Sequence, residues 1–427
     1  MTYKKTAVLN PPPPPSVLFQ PTPLPLSFPY PGAPPFALVA NDWHAALVPV
    51  IVKDVAQPAG RFTNARSILC VHNAAFQGRF PRAAASVLGL PASSMARFEF
   101  QDGDPRQPGD GGAAVAPPGA RYAKLNWMKA GASAADRVIT VSPSYAEELK
   151  ASPSGGVELD DVFRGVGVEG IVNGVDTAVW GPSLDKHIPL KYDASTVAAG
   201  KAAAKASLQA ELGLAVAPAA PLVAFVGRLE EQKGVDVLLA SIPALVAAGV
   251  QVAVLGTGKT ALEARVGELA TAHPGGAAGV AKFDTPLAHK LFAAADFVCV
   301  PSRFEPCGIV QLQAMAYGAV PVVASVGGLL DTVKEGATGF QVGRFESADA
   351  ATPGDVAALT DTLLRAAASY GTPAFTAMRA KCIGTDVSWD GPATAWEGVI
   401  AEVIVGGARA APATAAKEAV KTPAQAA

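Results

Sequence analysis

Two short stretches concentrate the residues able to answer negative charge. In "GRLEEQKG", Arg228 and Lys233 flank two acids. A guanidinium fork and an ammonium point charge together suit a diphosphate. The loop equally permits a solvated arrangement in which both cations pair with Glu230 and Glu231. In "PSRFEPCGIVQLQAMAYG", Arg303, Glu305 and Cys307 stand ahead of an apolar helix. Backbone N–H groups at a helix start suit an anion or sugar hydroxyls. Taken alone, Glu305 is more simply a first-turn acid favoured by the helix dipole. Cys307 is a nucleophile in principle, but no histidine lies near it in sequence, which favours packing or hydrogen bonding. "VGGLLDT" offers a second glycine-opened helix start at Gly327 and Gly328.

Other chemistries find less support. Asp102 and Asp104 spell a DxD metal–nucleotide signature, but within a Gly- and Pro-rich loop. The five histidines never fall at metal-ligand spacing, so zinc is not expected. There is no GxSxG. "GTGKTALE" at 256–263 imitates only part of a phosphate loop, lacking its leading glycine. No carboxylate pair is spaced like a hydrolase's.

The elements that must carry these residues follow from hydrophobic patterning. "ARSILCV", "RVITVS", "GIV", "PLVAFVG", "VQVAVLG", "GVAKF" and "DFVCVPS" are short apolar runs alternating with helical segments. That alternation predicts βαβ units and parallel sheets covered on both faces. Two blocks, 38–205 and 206–385, are expected to form doubly wound domains facing a cleft. An amphipathic helix at 386–405 and an Ala/Lys/Thr-rich tail at 406–427 follow. Residues 1–37 are a Pro-rich arm expected to be disordered, and 102–120 a surface insertion. In open parallel sheets ligands sit at the carboxyl ends of strands. His72 and Asn73, Asn173 and Asp176, Arg228 and Lys233, Phe283, and Arg303 to Cys307 all fall there.

Composition narrows the partners. With 34 basic and 36 acidic residues the formal charge is −2, which gives no reason to expect nucleic acid or an anionic membrane. No apolar run approaches the ~18 residues of a membrane span. Neither a signal peptide nor a transit peptide is visible, and four scattered cysteines favour reduced thiols.

Eleven motifs in order complete the pattern, among them "NDWHAALVPV", "CVHNAAFQGRF", "ADRVITVSPSYAEEL", "GIVNGVDTAVWGPSLDKHI", "FVGRLEEQKG", "PSRFEPCGIVQLQAMAYG", "GGLLDTVKEGATGF" and "VSWDGPATAWE". Over about residues 38–402 the chain resembles the bacterial glycogen synthase and plant starch synthase family, in wording most like its granule-bound branch. The resemblance implies a GT-B fold, two Rossmann-like domains about a cleft. It also implies retaining transfer of glucose from ADP-glucose to the non-reducing end of an α-1,4-glucan, without metal or cofactor. Arg228 and Lys233 match the pair that neutralises the leaving diphosphate, and Glu305 the acid that contacts the donor glucose. His72 corresponds to the residue against the transferring sugar, Asn173 to the asparagine beside the donor, and Phe283 to an aromatic stacked on adenine. Cys307, Gly308, Gly327 and Gly328 fall on the donor side, and Asp42 and Gln77 on the acceptor side. The implied compartment is a plastid, chloroplast or amyloplast, at the granule or in stroma.

The pattern departs from the family in places. Only 40 residues precede the NDWH motif, and no Lys-x-Gly-Gly-Leu loop stands among them. The expectation is an N-terminally truncated chain whose first domain is incomplete, with exposed sheet edges. Val326 replaces the usual threonine before the glycine pair, and Ala316 the usual arginine. A second expectation therefore stands beside glucan elongation: an impaired paralogue or incomplete gene product that binds ADP or α-glucan without transfer.

Overall fold

The computed structural model describes residues 34–102 and 122–406. Most of the Pro-rich arm, the insertion after Asp102 and the C-terminal tail lie outside the described residues, as does Asp104 of the DxD pair.

Two all-parallel sheets organise the rest. The first contains β1 (Phe36–Asn41), β2 (Ala65–Val71), β6 (Arg137–Thr140) and β7 (Val168–Gly170), in the order β1-β2-β6-β7. Between β2 and β6, three strands make a small antiparallel sheet: β3 (Arg79–Pro81), β4 (Glu99–Asp102) and β5 (Tyr122–Asn126). The second parallel sheet runs β10-β9-β8-β11-β12-β13. Its strands are β8 (Leu222–Val226), β9 (Gln251–Gly256), β10 (Ala277–Ala281), β11 (Phe297–Val300), β12 (Val320–Val323) and β13 (Phe340–Gln341).

Both faces of the second sheet are buried because successive strand residues point to opposite sides. Val223, Phe225, Val252, Val254, Phe297 and Cys299 enter one core. Leu222, Ala224, Ala253, Leu255 and Val298 enter the other. The first sheet follows the same rule with a long-range partner. Leu69 and Val138 face the helices Trp127–Ala134 and Pro143–Ala151 (α1) through Met128, Tyr145 and Leu149. Ile68 and Ile139 face the final helix, Asp390–Gly406, which covers them with Trp396, Val399, Ile400 and Val403. The chain thus returns from the second sheet to cap the first. Each such buried side chain contributes about 1.5–3 kcal/mol.

Two local readings change. The strand expected at "GIV" lies two residues earlier: β7 ends at Gly170 and residues 171–176 form a loop. The antiparallel sheet had no counterpart in the sequence pattern, because its strands are short and partly polar.

Candidate active site

Strand ends from both parallel sheets converge on one cleft. On the first sheet, Asp42 follows β1 and His72 follows β2. The Asp42 carboxylate accepts from the His72 N–H at 2.8 Å and the Asn73 N–H at 3.4 Å. The His72 Nε2 lies 2.9 Å from the Asn41 Oδ1. Asp42 is held at φ +56°, a left-handed conformation rare for a residue with a Cβ. Such a conformation costs about 1–2 kcal/mol, and held strain of this kind clusters at functional sites. Gln77 behaves differently. It is 3% exposed; its amide donates to the carbonyls of Ala74 and Val157 and accepts from Arg79 and Asn126. Its side chain is committed to holding the loop after β2, with no capacity left for an acceptor.

On the second sheet, the β8 loop meets the β11 loop. Gly234, at φ +67°, lets them touch: a Cβ there would overlap the Pro301 carbonyl. Lys233 Nζ donates to Glu305 Oε2 at 2.6 Å, and Ser302 Oγ donates to the same oxygen at 2.9 Å. The anticipated helix starts only at Val310, so Glu305 is no first-turn acid. Burial with a lysine and a serine holds it instead. The two cations of the β8 loop part company. Arg228 pairs with Glu230 at 2.7 Å and stays largely exposed, while Glu231 takes Lys259. Arg303 is committed to a bidentate pair with Asp236 at 2.7 and 2.9 Å.

The helix Gly327–Thr332 (α2) closes the floor. The Gly328 N–H donates to the carbonyls of Glu305 and Pro306, both at 3.1 Å. A Cβ on Gly327 would overlap the Glu305 carbonyl, and one on Gly328 the Cys307 carbonyl. The Gln311 amide donates to the carbonyls of Cys307 and Gly308 at 3.2 and 2.8 Å, fixing the intervening loop. Gly308 itself adopts φ +73°. Burial pushes the Cys307 thiol up to about 11, offset in part by the Asn173 N–H and reinforced by the charges of Glu305 and Asp331. At neutral pH it is a protonated thiol that accepts from the Asn173 N–H at 3.4 Å, not a nucleophile.

That contact crosses between the sheets, and others accompany it. Ser142 Oγ donates to the Pro306 carbonyl at 2.6 Å, and Ser144 to Asp331 at 2.7 Å. Tyr145 packs edge-on to Phe304. Val326, at the N-cap of α2, has no hydroxyl to offer; the Gly327 N–H is taken instead by Glu148 of α1 at 3.0 Å. Asn173, Cys307, Glu305, Lys233 and Gly328 are thus tied together by hydrogen bonds at the meeting of the two sheets, while Asp42 and His72 bond to each other at the ends of β1 and β2.

Phe283 stands apart from that neighbourhood, 86% exposed beyond β10. It lines a pocket of about 290 Å³ with Arg228, Gly256, Thr257 and Trp180. A mostly apolar pocket joined by Arg228 to the charged loop suits a nucleobase beside its phosphates. Sequence reasoning missed Trp180, Ser302 and Gln311; an aromatic and a glutamine inside recurrent motifs were the available signals.

Comparison with known proteins matches this arrangement. Residues 28–165 match the family described as Starch synthase catalytic domain, and 220–368 that described as Glycosyl transferases group 1. Granule-bound starch synthase 1 of Arabidopsis thaliana is 47% identical over 391 residues, covering 90% of this chain and 62% of that protein. The Manihot esculenta counterpart is 46% identical over 393 residues, covering 91% and 63%. Along most of its length this chain is similar to starch synthases. A solved starch synthase, the catalytic domain of Starch Synthase IV from Arabidopsis thaliana bound to ADP and acarbose, superposes with a TM-score of 0.72 at 27% identity. The alignment covers 87% of this chain and 74% of that one, so the fold is the GT-B arrangement of starch synthases. The chain spans less than two thirds of the length of the granule-bound relatives it matches.

Proposed function

We propose that this chain elongates α-1,4-glucans, moving glucose from ADP-glucose to a non-reducing 4-hydroxyl with retention and without metal. The observation that carries the reading is the Lys233–Glu305–Ser302 cluster at the carboxyl end of β11, beside a pocket that suits a base. As the C1–O bond breaks, charge grows on the leaving diphosphate. Lys233 keeps more N–H donors than its bond to Glu305 uses, and Arg228 is exposed enough to swing from Glu230. One preorganised donor at a developing oxyanion contributes about 2.7–4 kcal/mol. Glu305 then orients the donor sugar through its hydroxyls, while His72 lies against the transferring sugar and Asp42 borders the acceptor side. The granule-bound relatives are named chloroplastic/amyloplastic, which supports a plastid location, at the granule or in stroma.

One observation favours a second reading. Both cations of the β8 loop are paired with carboxylates, Arg228 with Glu230 and Lys233 with Glu305. A chain that cannot open those pairs would hold ADP or glucan without transfer. The test is incorporation of labelled glucose from ADP-glucose into amylopectin, beside Glu305→Ala. Incorporation that disappears in the variant supports elongation; ADP binding without incorporation supports the second reading.

A further inference from the structure

The loop leaving β7 does more than bring Asn173 to the cleft. It continues across the second sheet, and Trp180 packs face to face on His289 with centroids 4.0 Å apart and planes 7° off parallel. His289 is buried and fixed in turn. Its Nδ1 lies 2.9 Å from Asp185 Oδ2 and 3.0 Å from the Tyr317 hydroxyl, and Tyr317 donates to the same Asp185 oxygen at 2.5 Å. The edge of Trp180 abuts Phe292. One face of the indole is thus covered by His289, and Phe292 packs at right angles to it. The surface it keeps open lines the pocket shared by Phe283, Val226, Leu255, Thr257 and Arg228.

We infer that Trp180 is a base-recognising wall of this pocket, a positioning and specificity residue for a purine nucleoside diphosphate. The inference rests on the functional reading above and deepens it. Phe283 is mostly exposed, so by itself it offers a base a solvated ring. Trp180 is the opposite: clamped, half-buried and planar, so contact with a base costs little further ordering. Aromatic contact with one base face is worth a large share of binding, while the diphosphate is left to the cations. Asp185 sits on the same loop as Trp180, so the clamp closes on the segment that also bears Asn173.

The experiment is titration of ADP, and separately of inorganic pyrophosphate, into the full chain, read by tryptophan emission and by calorimetry. Wild type, Trp180→Leu and Trp180→Phe are compared. The inference expects ADP to quench wild-type emission, and Trp180→Phe to lose most of that quenching while holding affinity within about threefold. Trp180→Leu should weaken ADP by about tenfold or more yet leave pyrophosphate unchanged. Equal weakening of ADP and pyrophosphate would mean general damage and overturn the inference. So would an unchanged ADP affinity in Trp180→Leu. A wild-type chain that binds neither compound would instead overturn the functional reading, and this inference with it.

Discussion

Lys233 and Glu305 supply the sharpest test of how the site is built. At 2.6 Å and an effective dielectric near 20, their gross attraction is about 6 kcal/mol. Removing both charges from water costs several kcal/mol per ion, so the net value of the pair is far smaller. Removing one partner is different, because it strands the other. Fully buried pairs lose about 3–5 kcal/mol in that event. Here the side chains keep 20% and 11% exposure, and Ser302 still donates to the carboxylate, so about 2–3 kcal/mol is expected for Lys233→Met. Glu305→Gln, an isostere that retains the Ser302 contact, should cost less, and the double variant should recover part of the loss. Urea midpoints for the four proteins close the cycle. A coupling of at least about 1 kcal/mol is expected; additivity within about 0.5 kcal/mol would refute the pairing as a structural unit. In the transfer assay Lys233→Met should lose about 100-fold or more. A rate within tenfold of wild type would remove Lys233 from charge stabilisation.

Three further outcomes follow from particular contacts. Gly327→Ala would press a Cβ onto the Glu305 carbonyl at a left-handed φ. It should lose about 2–4 kcal/mol in thermal or urea unfolding, and a wild-type midpoint would refute the close approach. Burial alone would raise the Asp185 carboxyl. Hydrogen bonds from Tyr317, the His187 N–H and His289, with the charge of His289, nevertheless hold it below its ordinary value. A lowered carboxyl contributes stability above the unfolded value of about 3.9 and surrenders it as pH falls through the folded value. Wild type should therefore lose stability more steeply below about pH 4 than Asp185→Asn, and parallel acid curves would count against the clamp. Finally, Cys70, Cys307 and Cys382 are buried with thiols pushed up to about 12, 11 and 12, so iodoacetamide at pH 8 should label none of them until the chain unfolds. Rapid labelling of Cys307 in the native protein would reopen its case as a nucleophile.

Much of the layout was legible in the sequence for a definite reason. Parallel strands buried on both faces are continuous apolar runs, and their ends are marked where polarity returns. His72, Lys233 and Glu305 each follow such a mark. What stayed illegible depends on partners distant in sequence. "GRLEEQKG" does not say that Arg228 will take Glu230 while Lys233 reaches 72 positions on, to Glu305. Gln77 has the chemistry of a sugar ligand, and only the positions of Val157, Arg79 and Asn126 commit it elsewhere. Arg303 looks like a phosphate ligand until Asp236 is seen opposite. The strands β3, β4 and β5 escaped because three to five residues with mixed polarity carry too little periodic signal.

The helix Asp390–Gly406 has a bearing on how the protein is made. Ile139 of the first sheet waits for Val403, and the ribosome adds residues at about 5–20 per second. The sheet face carrying Ile68 and Ile139 is therefore translated roughly 13–50 s before its cover exists. During that interval the second sheet can complete its own core, but the first presents a bare aliphatic surface. Productive folding of the first sheet is then timed by the arrival of this helix. Removing that helix should cost solubility of the newborn chain well before it costs any contact in the cleft.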